Sequence, residues 1–248
     1  MPIEFKNLRK AFGPKVVLDD VSLEVNDGEC FFVIGGSGVG KSVLIKHLIG
    51  LLRPDSGEIW LDGQEVSRLS ETELYPVRKR CAMVFQSSTL FDSMSCEENV
   101  ALPLRMHRKL SMKDARADAR RLLEQVRMEA FADRFPAELG DGMRKRVAIA
   151  RALTLEPRYV LFDEPTTSLD PVSARRVDQM IRELCDRIGV TSIVVSHDLT
   201  SIFTIADRIA MLYKGRVRLV GTPEDFRRTD DPVVRQFVEG RAEGPYET

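Results

Sequence analysis

The sequence predicts an α/β fold built around a parallel sheet. Cys30 to Ile34 is a run without charged residues, as expected of a strand buried on both faces. A glycine-rich loop and an amphipathic segment follow it directly. The same rhythm returns later, where Tyr159 to Phe162 and Ser192 to Val195 form two further apolar runs. Strands that alternate with helices are typical of parallel sheets covered by helices.

Two other segments differ from this pattern. Near the N-terminus, Val16 to Leu18 and Val21 to Val25 are short apolar stretches separated by turns, which indicates antiparallel β-structure. Residues of about 87–156 are predicted to be mostly helical, since Ser111 begins a capping sequence and apolar residues recur after it at helical spacing. The last residues, 241–248, form a polar tail that we expect to be frayed, with Tyr246 as its one candidate anchor.

The overall composition does not indicate a function, so the function must depend on local sites. The chain has 248 residues, of which 43% are hydrophobic, and a formal net charge of -1, so nucleic acid is not expected as a partner. Four scattered cysteines suggest neither a disulfide framework nor a metal cage and fit a reducing cytosol. The N-terminal sequence predicts no secretory leader, and no apolar run approaches the ~18 residues of a membrane span.

A phosphate-binding loop is the most specific signal in the sequence. Its residues fit the pattern Gly-x-x-x-x-Gly-Lys-Ser/Thr between a buried strand and a helix: Gly35, Gly36, Ser37, Gly38, Val39, Gly40, Lys41 and Ser42. The glycines let backbone N–H groups converge on phosphate oxygens. We expect Lys41 to neutralise the phosphates and the Ser42 hydroxyl to bind Mg²⁺.

Two carboxylates end the apolar run that begins at Tyr159. In a parallel sheet they would face the same crevice as the phosphate loop. We therefore expect Asp163 to hold the water shell of Mg²⁺ and Glu164 to act as general base on the attacking water.

Further motifs in order give the chain a resemblance to the ATP-binding subunits of ABC transporters. Val84-Phe85-Gln86 resembles the Q-loop of that family, Ser168-Leu169-Asp170 its D-loop, and Ser196-His197-Asp198 its switch histidine. Residues 138–153 resemble the signature segment and the helix after it.

The resemblance implies roles for single residues. Gln86 would sense Mg²⁺ and the attacking water, and His197 would contact the γ-phosphate. Gly142 and Asp170 would act on the ATP of a second copy, and Phe12 would stack on adenine. Each has a plainer alternative: a solvated loop for Gln86, a helix cap at Ser196 or Asp198, and core packing for Phe12.

The resemblance also implies a fold and an assembly. The fold would be a phosphate-loop ATPase core in residues 1–240, with an antiparallel β-subdomain near the N-terminus and a helical subdomain inserted at about 87–156. Two copies would pair head to tail around ATP, and hydrolysis would drive a transmembrane permease at the inner face of the bacterial inner membrane.

More diffuse similarity indicates the Mla and Mce type phospholipid transporters. It rests on Phe85 to Ser95, Glu98 to Arg105, Tyr75 to Arg80 and Asp231 to Gly240. Such systems imply a periplasmic lipid-binding protein and, in some, a small STAS-domain subunit. Leu90 and Phe91 fit either core packing or the wall of a groove for the permease.

The signature segment departs from the family pattern Leu-Ser-Gly-Gly-Gln. Gly140 replaces the serine, Asp141 replaces the first glycine, and Met143 replaces the glutamine. Because a carboxylate facing phosphate would repel it, we expect Asp141 to turn away, either capping its helix or pairing with Arg144 or Lys145.

Other functions remain open at this point. The departures at residues 140 and 141 allow a regulatory subunit that dimerises with ATP and turns over little, and an importer of another substrate also fits. A role in DNA repair or chromosome structure would require a long coiled coil between the two halves of the site, for which the middle segment is too short.

Overall fold

The computed structural model describes residues 3–247, and the strands in that range form two sheets. The strands are β1 (Ile3–Phe12), β2 (Lys15–Val25), β3 (Cys30–Ile34), β4 (Ser56–Leu61), β5 (Gln64–Glu65), β6 (Cys81–Val84), β7 (Tyr159–Asp163), β8 (Thr191–Val195), β9 (Arg208–Tyr213) and β10 (Arg216–Gly221). The helices are α1 (Lys41–Leu48), α2 (Glu71–Arg80), α3 (Cys96–Arg108), α4 (Met112–Gln125), α5 (Asp141–Leu153), α6 (Pro171–Glu183), α7 (Leu199–Ile205), α8 (Pro223–Arg228) and α9 (Pro232–Glu239).

The larger sheet has the order β10-β9-β3-β8-β7-β6. Its strands run parallel from β9 to β6, and β10 pairs antiparallel with β9 at one edge. The smaller sheet has the order β2-β1-β4-β5 and is antiparallel throughout. The antiparallel structure predicted near the N-terminus is thus present.

Two apolar layers cover the parallel sheet. In β3, Phe31 and Val33 join the layer shared with the antiparallel sheet and α1, while Phe32 and Ile34 join the layer shared with the helices on the other side. All five residues of β3 are fully buried, as its unbroken apolar sequence predicts.

The helical segment lies between β6 and β7. Here α3, α4 and α5 pack on one another and contribute to the second layer through residues such as Val100, Leu123 and Val147. Ser95 and Ser111 cap α3 and α4, each accepting a hydrogen bond from the backbone three residues on. The mostly helical reading of residues 87–156 agrees with these elements, although α3 begins only at Cys96.

Three features differ from the expectations. The strand β1 was not expected, and neither was α2, which follows a capping box at Ser70 and contains Pro76. The tail was expected to be frayed, yet residues 241–247 pack on the core through Tyr246. Met1, Pro2 and Thr248, over which the terminal predictions extend, lie outside the described residues.

All four cysteines are free and buried. Between residues 3 and 247, no helix combines the length and the apolar character needed to cross a membrane.

Candidate active site

The phosphate loop joins β3 to α1, as the sequence predicts. Gly40, immediately before the helix, has a φ of 104°, which favours glycine. The Lys41 amine lies over the loop and donates hydrogen bonds of 2.9 Å to the carbonyl oxygens of both Gly35 and Gly36. Burial lowers the pKa of Lys41, and the negative charges of Glu164 and Asp163 oppose that effect.

Ser42 and Asp163 are brought together across the sheet. The Ser42 hydroxyl donates a hydrogen bond of 2.5 Å to Asp163 Oδ1, and Lys46 Nζ lies 3.8 Å from Asp163 Oδ2. A hydroxyl and a carboxylate side by side are the oxygen ligands that Mg²⁺ takes beside a nucleotide. The residues present therefore fit this cofactor.

Glu164 lies between the phosphate loop and the predicted switch histidine. Its Oε1 is 3.9 Å from Lys41 Nζ, and its Oε2 is 2.8 Å from His197 Nδ1 and 3.1 Å from the Thr167 hydroxyl, which donates to it. The Glu164 backbone has a φ of 50°, an unusual conformation for a residue with a side chain. The carboxylate is thus fixed in orientation by several groups.

Strand order explains why these groups meet. The phosphate loop, Asp163 and His197 follow the carboxyl ends of β3, β7 and β8, which are neighbours in the parallel sheet. Ligands of such sheets bind outside the carboxyl ends of the strands. His197 remains accessible, with 61% of its side chain exposed.

Gln86 follows β6, the next strand in the same row. Its backbone is held by Lys145 of α5, whose amine donates to the carbonyl oxygens of Phe85 at 2.9 Å and Gln86 at 2.6 Å. Lys145 is 2% exposed, and burial lowers its pKa to about 8. The start of the signature helix is therefore tied directly to the predicted Q-loop.

The predicted signature and D-loop line one open cleft of about 720 Å³, which includes Gly142 and Asp170. Asp141 pairs with Arg144, which confirms one of the two orientations expected for it. It does not cap its helix, because Gly140 occupies the cap position. Asp170 Oδ1 caps α6, accepting hydrogen bonds of 3.0 Å from two backbone N–H groups.

Two plainer alternatives can be compared with the geometry. Phe12 is 46% exposed at the end of β1, so it does not pack in the core. Asp198 caps α7 through hydrogen bonds from Thr200 N and Ser201 N, which is the capping role considered for that motif. His197, one residue earlier, still faces Glu164.

A charged network connects the helices that follow Asp170 and His197. Arg175 contacts Asp178 at 2.7 Å and Asp198 at 2.5 Å, and the Ser201 hydroxyl lies 2.9 Å from a carboxylate oxygen of each. Burial raises the pKa of Asp178 to about 6, although Ser201 and Arg175 lower it.

Sequence reasoning missed four residues that contact the site or its loops. Lys46 contacts Asp163, Thr167 contacts Glu164, and Lys145 contacts the backbone of the Q-loop. Arg175 contacts Asp198, the residue after His197. The signal for Lys46 was available, since helical spacing places it one turn after Ser42, on the same face of α1. Lys145 follows Gln86 by 59 residues, and no local pattern announces that contact.

Comparison with known proteins agrees with the geometry. Residues 18–167 match the ABC transporter family. The chain is 41% identical over 243 residues to the intermembrane phospholipid transport system ATP-binding protein MlaF of Haemophilus influenzae, covering 98% of this chain and 92% of MlaF. It is 40% identical over 243 residues to a probable ribonucleotide transport ATP-binding protein, mkl, of Mycobacterium leprae, covering 98% of this chain and 70% of mkl.

Solved structures show the same fold. The ATP-binding cassette MJ0796, in a dimeric post-hydrolysis state bound to ADP and Pi, superposes with a TM-score of 0.82 at 31% identity over 89% of this chain and 98% of MJ0796. CbiO1 of Clostridium perfringens gives a TM-score of 0.84 at 27% identity over 97% of this chain and 95% of its own. The predicted fold class, a phosphate-loop ATPase core with β- and α-subdomains, is confirmed. The chain belongs to the ABC transporter family, as an ATP-binding and ATP-hydrolysing subunit.

Proposed function

We propose that the chain is the motor subunit of a transporter that moves phospholipid between bacterial membranes. Its most direct support is the convergence of Lys41, Ser42, Asp163, Glu164 and His197 at one edge of the sheet. The subfamily is supported by MlaF of H. influenzae, which is named for phospholipid transport and aligns with nearly the whole chain. In this proposal the subunit lies against a permease at the inner face of the inner membrane.

The residues divide the chemistry between them. Lys41 binds the phosphates of ATP, and Ser42 with Asp163 and Gln86 would hold Mg²⁺, which offsets phosphate charge when bound. Glu164 accepts a proton from the attacking water, because its carboxylate is already held beside the phosphate loop. His197 orients Glu164 through Nδ1 and contacts the γ-phosphate, and Phe12 stacks on the adenine.

A single chain presents only half of each nucleotide site. Gly142 and Asp170 lie in a cleft of their own, together with other residues of the signature and D-loop. In a head-to-tail dimer, that cleft would cover the ATP bound to the phosphate loop of the second copy. MJ0796 is dimeric in its post-hydrolysis state, which supports this arrangement.

The permease would dock beside the Q-loop. A groove there is lined by Phe85, Ser88, Thr89 and Arg151, and Phe91 stands nearby with 50% of its surface exposed. Leu90 instead packs against the core, so core packing applies to Leu90, and only Phe91 is proposed as part of the groove for the permease. Specific companions, a STAS-domain subunit and a periplasmic Mce-type protein, belong to the same proposal.

A second substrate class has a specific observation in its favour. The mkl protein of M. leprae is named as a probable ribonucleotide transporter subunit and is nearly as similar to this chain as MlaF. The two proposals differ in what stimulates turnover.

The test is ATPase activity of the transporter complex, purified through this chain and placed in vesicles. In vesicles of phosphatidylglycerol or phosphatidylethanolamine, the complex should hydrolyse ATP severalfold faster than in detergent alone. A mixture of ribonucleotides should not stimulate hydrolysis. Stimulation by ribonucleotides alone would overturn phospholipid as the substrate. Turnover of the complex that stays as low as that of a Glu164→Gln complex would instead favour the regulatory alternative.

A further inference from the structure

The tail of the chain folds back toward the phosphate loop. Helix α9 is followed by Gly240, whose left-handed φ of 62° ends the helix. The side chain of Gln236 then holds the returning segment at two points. Its Oε1 accepts a hydrogen bond of 2.6 Å from Tyr246 N, and its Nε2 donates one of 3.3 Å to Arg241 O.

Aromatic packing fixes the end of this segment. The ring centroid of Tyr246 lies 5.2 Å from that of Tyr213 and 5.5 Å from that of Phe237, distances typical of tilted aromatic pairs. The Tyr213 hydroxyl donates to the Pro245 carbonyl at 3.3 Å, and Lys214 pairs with Glu247 at 2.8 Å. The ring of Tyr246 is therefore held from two sides.

The Tyr246 hydroxyl reaches the phosphate loop at Gly36. A Cβ added to Gly36 would collide with Tyr246 Oη and would lie 3.4 Å from ring atom Cζ. Burial raises the pKa of Tyr246, and the backbone of Gly36 close to its hydroxyl partly opposes this. Gly36 also accepts a hydrogen bond from Lys41 through its carbonyl, so one loop residue contacts both the tail and the phosphate-binding lysine.

We propose that Tyr246 is a positioning residue for ATP binding, which supports the phosphate loop of its own chain at Gly36. The proposal rests on the proposed role of that loop in binding ATP. It assigns the tail a function in nucleotide affinity that neither the loop motif nor the permease requires. The hydroxyl, and not only the aromatic ring, carries the effect.

The first experiment compares ATP affinity of the full chain with that of Tyr246→Phe, by titration calorimetry. Loss of the hydroxyl and of its polar contact with the loop should weaken ATP binding by about two- to tenfold. The matched control is Tyr75→Phe. Tyr75 lies in α2, far along the chain from the tail, and its hydroxyl forms a hydrogen bond with His107, so this variant also removes one tyrosine hydroxyl. Unchanged affinity in Tyr246→Phe would overturn the proposal, and tighter binding would show that the tail competes with ATP.

The second experiment is a double-mutant cycle between residues 36 and 246. Gly36 lies outside the left-handed region, so alanine fits its backbone and only the hydroxyl of Tyr246 opposes it. Gly36→Ala should weaken ATP binding and lower the unfolding temperature, and adding Tyr246→Phe should restore most of both. Equal effects of Gly36→Ala in the two backgrounds would contradict the contact.

The cycle is also measured without nucleotide. The unfolding temperature then reports the contact alone, so failure of the tail proposal is distinguishable from failure of the loop to bind ATP. If the effect of Tyr246→Phe disappears when the protein is diluted, the Tyr246 hydroxyl contacts the phosphate loop of a second copy. That result would overturn the proposal that it acts within one chain.

Discussion

At the scale of single residues, Asp141 is the most unusual member of the site. Its carboxylate pairs with the guanidinium of Arg144, three residues further along α5. An unpaired carboxylate about 4 Å from a phosphate charge would cost about 4 kcal/mol at an effective dielectric of about 20. Pairing lets the helix N-terminus still favour an anion.

Restoring the family residues should strengthen the signature. Nothing lies within 4 Å of a Cβ at Gly140, and its φ of -70° suits serine. The double variant Gly140→Ser with Asp141→Gly adds a hydroxyl donor and removes a charge, so we expect a severalfold rise in ATPase activity or in ATP-dependent dimerisation. The single variants serve as controls for the two contributions. No change in either readout would show that these departures are silent.

Lys145 makes a contact that can be tested separately. Lys145→Met would leave the carbonyls of Phe85 and Gln86 without their buried donor, at a cost of about 1–3 kcal/mol in the free energy of unfolding. Since Lys145 contacts the Q-loop rather than the phosphate loop, kcat for ATP should fall while KM changes little. Lys145→Arg should recover part of the kcat. A variant that is only less stable, with normal kcat, would reduce Lys145 to a structural residue.

At the scale of elements, Arg175 joins α6 to α7 through two ion pairs. One is with Asp178 of α6 and the other with Asp198, which caps α7. Asp178 binds a proton more readily when folded, since its pKa is about 6 against an ordinary value of 3.8. The folded state therefore gains stability relative to Asp178→Asn as the pH falls, by up to about 3 kcal/mol below pH 4, and loses that gain as the pH rises through 6.

Chemical unfolding between pH 4 and 7.5 measures this difference. Asp186→Asn is the control, because Arg182 lowers the pKa of Asp186 and the dependence on pH should have the opposite sign. A difference between wild type and Asp178→Asn that does not vary with pH would contradict the account of the α6–α7 contact.

Elements also show where sequence reasoning ends. The strand β3 and the strands ending at Asp163 and Val195 were recognisable because burial on both faces removes polar residues. In β1, a bulge between Phe5 and Leu8 places two exposed residues in succession, which breaks the alternation that identifies a strand. Pro76 in α2 likewise opposes a helical reading that only the capping box at Ser70 supports.

At the scale of the whole molecule, the phosphate loop lies at the carboxyl end of β3, while Gly142 and Asp170 line a separate cleft. Motif order predicted the phosphate loop, Asp163, Glu164 and His197 together, because parallel strands bring their carboxyl ends to one edge. Contacts between distant segments, such as Lys145 with the Q-loop and Tyr246 with Gly36, depend on tertiary packing and carry no local pattern. The tail was expected to be frayed for that reason, because the sequence marks Tyr246 as a candidate anchor but does not show that Tyr213 and Phe237 lie beside it.

The central claim is tested most directly by comparing the steady-state ATPase rate of the wild type with that of Glu164→Gln. Lys41→Ala is the control, because it should not bind the phosphates of ATP. Glu164→Gln keeps the size of the side chain and removes the base, so we expect turnover to fall by at least about a hundredfold while ATP binding and ATP-dependent dimerisation persist. Lys41→Ala should lose ATP binding as well. A wild-type rate no faster than that of Glu164→Gln would contradict an ATP-driven motor.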